Sequence, residues 1–475
     1  MSGYNAPGVY VQDIVSGSQS IAQLSSTIGA MVGVTRSGAI NVAQKISSWT
    51  EFISKYANGL DTPFMENSYL PYAVHGFFTN GGKELYIASI KKEGAKATKD
   101  SNGGLSITAS TEGAWGNNVT VSIKKSDEYT TDNKVFNVTI SVGASDSVVI
   151  SDVTVGNIST VITSNFKAKQ WIGEVTIAPE TVDLVEEDIT LADGSDGSAL
   201  EDSDYIEALD LISPFDDVTF IAVPGQTSSV MNDAILSFCE NHELFPILDM
   251  PMGYSTEEAK AYRKEMSAFT GAITHPWGKI NDPLTNTIKA VPNAGHVMGV
   301  YARIIESRGI HKAPAGVDAV VRGFIEMEYQ LTPTQIGSLN PNGVICITPR
   351  PNAGIVIWGA RSLNSTDPTL RYVTDGLLNL NIKKSLYQGT QFAVFEPNDP
   401  TLWSKVQATC KDFLETLRLS GALKGTADEA YYVTLDESNN TEDTIKAGEL
   451  NIEIGYSPIK PAEFVVIKLA HSIEG

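Results

Sequence analysis

The sequence predicts a multidomain α/β and α+β protein: a discontinuous α/β core interrupted by an inserted all-β domain, then a C-terminal α+β domain, with extended β arms at both ends. Three observations predict it. At 475 residues the chain exceeds what one ordinary core accommodates, and its 42% hydrophobic and 19% charged residues can fill several. Continuous apolar runs followed by amphipathic helices recur on both sides of residues 91–203, as strands buried on both faces require. Within 91–203 the composition shifts to Thr, Ser, Val, Asn and Asp with alternating hydrophobicity, the pattern of half-buried antiparallel strands.

The elements follow in order. An N-terminal arm over 1–20 holds the extended segment 9–15, preceded by Pro7 and too short to bury itself. Residues 21–90 form the first part of the core. They contain a β-branched run at 21–34, a helix face at Trp49, Phe52 and Tyr56, a helix over 69–78 ended by Gly81-Gly82, and the buried strand LYIASI at 85–90. The β-rich domain over 91–203 includes VTVSIKK at 119–125 and VFNVTISV at 135–142. No Lys or Arg occurs between Lys169 and Lys260, and carboxylates cluster over 180–204. Their spacing does not match a Ca²⁺ loop, so the stretch reads as a solvated acidic linker.

The core resumes over 204–330. VTFIAV at 218–223 is a strand, Met231, Ile235, Phe238 and Cys239 stripe the helix after it, and FPILDM at 245–250 is the next strand. Ser255 and Glu258 form a capping box that opens a helix through Met266, and two strand–helix units in series imply a mostly parallel sheet. Another helix covers 297–305, with Gly309 at its end. In the C-terminal domain, 331–460, a helix over 402–417 carries the stripe Leu402, Val406, Cys410, Phe413 and Leu417, and Gly421 ends it. YYVTL at 431–435 and ELNIEIG at 449–455 pair antiparallel, with Leu450, Ile452 and Ile454 on one face. Pro458 and Pro461 then stiffen the approach to the C-terminal arm, 461–475, whose strand has nowhere evident to pair.

The formal net charge of −22 repels phosphate backbones and anionic headgroups, which argues against nucleic acid as a partner. No run reaches the roughly 18 apolar residues of a membrane span, and the first residues lack a basic region before an apolar one. Neither membrane insertion nor export is expected. Cys239, Cys346 and Cys410 are widely spaced and read as buried thiols in a reducing compartment. The signatures GxxxxGK[ST], GxGxxG, GxSxG and HExxH are absent, the six histidines are scattered, and the acidic runs Asp216-Asp217 and Glu186-Glu187-Asp188 read as solvated. No catalytic residue, metal ligand or cofactor site is therefore assigned. Trp358 with Arg361 reads either as a ligand clamp or as a packing and ion-pair contact.

Several segments together resemble the contractile tail sheath family of myoviruses and related injection systems. They are PGVYVQDI at 7–14, SWTEFISKY at 48–56, FFTNGGKELY at 77–86, KAPAGV at 312–317 and LTPTQIGSLNPNGV at 331–344. IWGARSL at 357–363, DPTLRYV at 367–373, FEPND at 395–399 and PAEFVVIKL at 461–469 complete the set. The resemblance implies a non-enzymatic mechanical subunit on a virion tail, assembled in the host bacterial cytoplasm into stacked, hexameric rings around an inner tube. Its partners would be further copies of itself, the tube protein, and baseplate and tail terminator proteins.

By the same resemblance, Val9, Tyr10, Val11, Gln12, Asp13 and Ile14 form one inter-subunit arm. Glu463, Phe464, Val465, Val466, Ile467, Lys468 and Leu469 form the other. Tyr432, Val433, Leu435, Leu450, Ile452 and Ile454 make the sheet that receives them, and Lys405, Lys411 and Arg418 are candidates for tube contact. Gly3, Gly8, Gly17 and Gly455 are hinge candidates. Two rivals are an enzyme using the sheet near 218–250, with Asp249 at a strand end, and a passive capsid or surface-layer protein.

Overall fold

The computed structural model describes residue 21, residues 27–464 apart from 58, 145 and 268, and residue 466. The chain divides into two compact units: residues up to Leu380 with those from Lys460, and Asn381–Ile459 with Ile21. The first is built on an eight-stranded sheet. Its strands, in spatial order, are Gly354–Trp358, Val344–Arg350, Ala272–His275, Phe245–Asp249, Phe220–Ala222, Gly29–Gly33, Leu85–Ser89 and Val42–Ile46. The six inner strands pair parallel, and only the two edge strands run antiparallel to their neighbours.

Helices cover both faces, which is why the inner strands read as unbroken apolar runs. On one face Ala30, Val32, Ile221, Leu248 and Ile273 pack with Leu209, Met231, Ile235, Cys239 and Leu339. On the other, Tyr301 of helix Ala294–Arg308 meets the rings of Phe220 and Phe245. This helix lies tight against helix Leu70–Thr79: a Cβ on Gly295 would stand 2.2 Å from the Ala73 carbonyl oxygen, and one on Gly299 2.3 Å from that of Phe77. The Ser255–Glu258 capping box and the Gly309 cap form as the sequence predicts.

Residues 98–190 carry two antiparallel sheets. One has the order Glu187–Thr190, Val119–Lys125, Phe136–Val142, Asp146–Val153, and the other Thr98–Asp100, Leu105–Ala109, Ile172–Ile177. They share a core that includes Trp115, Trp171, Ile123 and Ile140. The acidic stretch is not a linker. Ile189 and Leu191 are buried in this core, so Glu187–Thr190 is drawn in as a strand beside Val119–Lys125, and bridges at Ala192, Ser195 and Ser198 carry the chain back past Lys92. Its carboxylates stay on the outer side, where Ser122 bonds Asp188 and Lys92 pairs with Asp204.

Strands Val344–Arg350 and Gly354–Trp358 fall inside the stretch 331–460 that the sequence gives to a C-terminal domain, yet they belong to the large sheet. Their apolar residues, Val344 to Ile347, need the two-sided cover that only a central sheet provides. The second unit holds helix Pro400–Leu419 and a two-stranded sheet, Tyr431–Thr434 with Glu453–Tyr456. Helix Val373–Gly389 spans the point of division. The three cysteines are buried. Among the described residues no helix is long and apolar enough to cross a membrane.

Candidate assembly site

In the second unit, Tyr431, Tyr432, Val433 and Thr434 pair with Tyr456, Gly455, Ile454 and Glu453. Val433 and Leu435 point into the unit's interior, while Tyr432 is exposed and donates to Glu453 at 3.0 Å. Helix Pro400–Leu419 braces the sheet: the Gln407 amide donates to the Val433 carbonyl at 3.0 Å and the Tyr431 hydroxyl to Glu415 at 3.1 Å. Only these two strands pair here among the described residues, and Gln407 takes the Val433 carbonyl that faces away from the partner strand.

Leu450, Ile452 and Ile454 are half-buried where Glu449, Asn451 and Glu453 are exposed, which is the alternation read from 449–455, but Leu450 and Ile452 lie before the strand, which starts only at Glu453. The cause is Asn440. Its buried side chain accepts from the Asn451 backbone N–H at 2.7 Å and donates to the Asn451 carbonyl at 2.8 Å, standing in for a strand partner until Glu453. Gly455 is no hinge either. It sits within the strand opposite Tyr432, whose ring would lie 2.1 Å from any Cβ there.

The stripe Leu402, Val406, Cys410, Phe413 and Leu417 is buried as the spacing predicts, and Asp399 caps the helix by accepting from Thr401 and Leu402, each at 2.9 Å. The three basic candidates do not form one patch. At about 100° per residue, Lys411 and Arg418 lie about 20° apart, and Lys405 about 120° from Lys411 around the polar face. Lys405 rests over the Phe392 ring at 4.7 Å, and Arg418 makes a forked pair with Glu415 on its own helix at 2.8 and 2.6 Å. Lys411 is exposed.

The arm residues Val9, Tyr10, Val11, Gln12, Asp13 and Ile14, and Val465, Ile467, Lys468 and Leu469, lie outside the described residues. Phe464 and Val466 are 72% and 78% exposed despite being apolar. Glu463 is different. Arg361 donates to it through Nε at 2.9 Å and Nη2 at 2.8 Å, Tyr372 through its hydroxyl at 3.0 Å and Asn340 through its amide at 2.5 Å. Those partners hold the carboxyl below the ordinary range against the opposing effect of burial. Three residues earlier, Lys460 pairs with buried Asp375 at 2.8 Å. This clasp escaped the sequence reading, although Arg361 and Glu463 both sit in segments that carried the family resemblance.

Two rival readings lose their residues. Trp358 stacks beneath Arg350, 4.0 Å from its ring centre, which leaves Arg361 to its ion pair and removes the clamp. Asp249 is fully buried and spent on backbone: Oδ1 accepts from Asn293 and Ala294, each at 2.9 Å, and Oδ2 from Gly225 at 3.2 Å. It closes the N-terminus of helix Ala294–Arg308, and burial pushes its carboxyl up to about 6.

One unit thus carries a two-stranded sheet, and the other a terminal segment that is pinned at Glu463 and exposed and apolar at Phe464 and Val466. Comparison with known proteins shows the family. The model of the phage tail sheath protein central domain matches residues 199–363, and that of the phage tail sheath C-terminal domain matches 367–470, together more than half of the chain. The chain belongs to the phage tail sheath family.

The tail sheath protein of Escherichia phage P2 is 25% identical over 252 residues, covering 52% of this chain and 62% of that protein, so the match spans under two thirds of the relative's length. The crystal structure of a sheath tail protein from Desulfitobacterium hafniense has the same fold, with a TM-score of 0.64 at 17% identity over 90% of this chain and 94% of that one. The helical sheath of the anti-feeding prophage, solved in its contracted state, gives a TM-score of 0.63 at 20% identity over 99% and 100%.

Proposed function

We propose that the chain is the subunit of a contractile tail sheath. It polymerises into a helical stack of hexameric rings around an inner tube and, on release, shortens to drive that tube through a bacterial envelope. The observation that carries this reading is the match of both sheath domain models over residues 199–470. In this reading the sheath sits on a virion tail assembled in the host cytoplasm. Its ends meet baseplate and tail terminator proteins, and residues 91–203 are a variable insertion that decorates the lattice.

Residues 9–14 and the apolar part of the C-terminal arm each add a strand to the two-stranded sheet of a neighbour, which satisfies backbone groups that one subunit alone leaves open. Because giver and receiver surfaces differ, the contact is heterologous and propagates as an open helix. The subunits stay tethered while they rotate and slide. Lys411 is the best placed of the three basic candidates to meet carboxylates on the tube.

Contraction draws on energy stored at assembly, since the chain carries no nucleotide signature. An extra ~200 Å² of apolar burial per subunit would release roughly 5 kcal/mol before entropy and desolvation are subtracted. Negative-stain microscopy of the purified chain tests the reading. Hollow tubes of cogwheel cross-section are expected, and deletion of 1–15 or of 464–475 should give folded monomers that form none. A particle that never polymerises, or truncations that polymerise normally, would overturn it.

A further inference from the structure

The C-terminal arm leaves its own subunit from a fixed point, and the polar contacts at that point exceed what a passive surface pair requires. We propose that the clasp around Glu463 is the pivot of the arm: it holds the root against its own subunit so that load on the strand beyond it reaches the body. The proposal rests on the sheath reading above.

Glu463 brings two oxygens to four donors, with Arg361 Nε and Asn340 on Oε1 and Arg361 Nη2 and Tyr372 on Oε2. The pair is bidentate, and its two side chains are only 16% and 17% exposed, so water and salt screen it far less than a surface ion pair. The donors are themselves fixed. Arg361 and Tyr372 form a backbone bridge, and Asn340 stands in the turn that follows helix Pro333–Leu339.

A second fastening lies three residues back, where Lys460 reaches Asp375 and also donates to the carbonyls of Pro368 and Thr369 at 3.2 and 3.3 Å. Immediately beyond Glu463 the pattern reverses to exposed apolar side chains, Phe464 and Val466, which find no burial on their own subunit. The change from fully bonded carboxylate to bare hydrophobe within one residue marks where self ends and neighbour begins. Releasing residues 460–463 would add about 13 Å of slack, at about 3.3 Å per extended residue. That exceeds two strand spacings of about 4.8 Å, so a moving neighbour would take up slack before pulling on the body.

The test uses the full-length chain with Glu463→Ala, Glu463→Gln and Arg361→Lys, the last keeping the charge but losing the fork. Hydrogen exchange on the unassembled protein should show at least a tenfold rise at 462–466 in Glu463→Ala, a smaller one in the other two, and no change in the strands of the eight-stranded sheet. Sheaths assembled from Glu463→Ala should show a broadened helical rise and incomplete contraction by cryo-EM, graded in the same order across the variants. Unchanged exchange at 462–466 would overturn the clasp. Raised exchange with wild-type rise and contraction would overturn the pivot. Wild-type protein that forms no sheath would instead overturn the functional reading, and the exchange result would still decide the clasp.

Discussion

Strand Leu85–Ser89 is buried at all five positions, whereas strand Phe136–Val142 alternates between buried and half-buried along its length. The first lies between two parallel or antiparallel neighbours with helices over both faces, and the second turns one face to the Trp115 and Trp171 core and the other to water. The difference concerns freedom to change. In the eight-stranded sheet nearly every side chain has packing partners, so substitutions propagate. In the antiparallel sheets every second residue faces solvent, and half of the sequence can vary without touching a core. A region of the second kind suits a part whose surface is under no common constraint across a lattice.

The largest expected effect breaks the first region. Phe245→Ala removes a buried ring that meets both Phe220 and Tyr301, and should destabilise by about 3–5 kcal/mol. Ile140→Ala in the other region should lose about 2–5 kcal/mol. Its consequence should be local: hydrogen exchange should rise across 98–190 and leave strands such as Phe220–Ala222 protected. If both substitutions lower protection over the same residues, the two regions are one cooperative unit and the contrast fails.

The contrast also explains what could be read beforehand. Unbroken apolar runs and clean alternation are local patterns, so strands at 85–90, 119–125 and 245–250 and the stripe from Leu402 to Leu417 were legible. The pairing of the strands around Val433 and Ile454 was legible for the same reason. The acidic strand was not, because Ile189 and Leu191 are two apolar residues among many carboxylates, and only the core they enter shows their purpose. The late start of the Glu453–Tyr456 strand depends on Asn440, which bonds the Asn451 backbone from 11 residues away. The Glu463 clasp gathers donors 91, 102 and 123 residues distant, a separation that no periodicity records.

Asp249 makes the stability of the first region depend on pH. An acid whose folded pKa lies above its ordinary value binds its proton more tightly when folded. Its stabilising contribution is therefore complete below about 3.8 and is lost as pH rises through about 6. The shift corresponds to about 3 kcal/mol at neutral pH. Asn in its place keeps an oxygen for the N–H groups of Asn293 and Ala294 and loses the acceptor facing Gly225. Unfolding free energies measured from pH 4 to 7 should fall less steeply in Asp249→Asn than in the wild type. Parallel slopes would mean that the three backbone donors outweigh burial.

The smallest effect concerns the joint between the two regions. Lys91 follows the last strand of the first half of the core, and its Nζ is wholly buried. It donates to the Arg36 carbonyl at 3.2 Å on the core side, and to the Glu112 carbonyl at 3.1 Å and Asp196 at 2.5 Å on the antiparallel side. Replacing it with Met keeps the apolar stem and removes all three bonds. Asp196 is 44% exposed and can rehydrate, so the penalty falls on the two carbonyls and should be about 1–3 kcal/mol. Exchange should rise at 112–118 and 194–198, where the antiparallel region touches the joint, with no change in strand Phe245–Asp249. If those amides stay protected, the backbone bridge between Lys92 and Ser198 holds the joint by itself. The antiparallel region would then be attached through two passing strands alone, and a lattice could exchange it without rebuilding the core beneath.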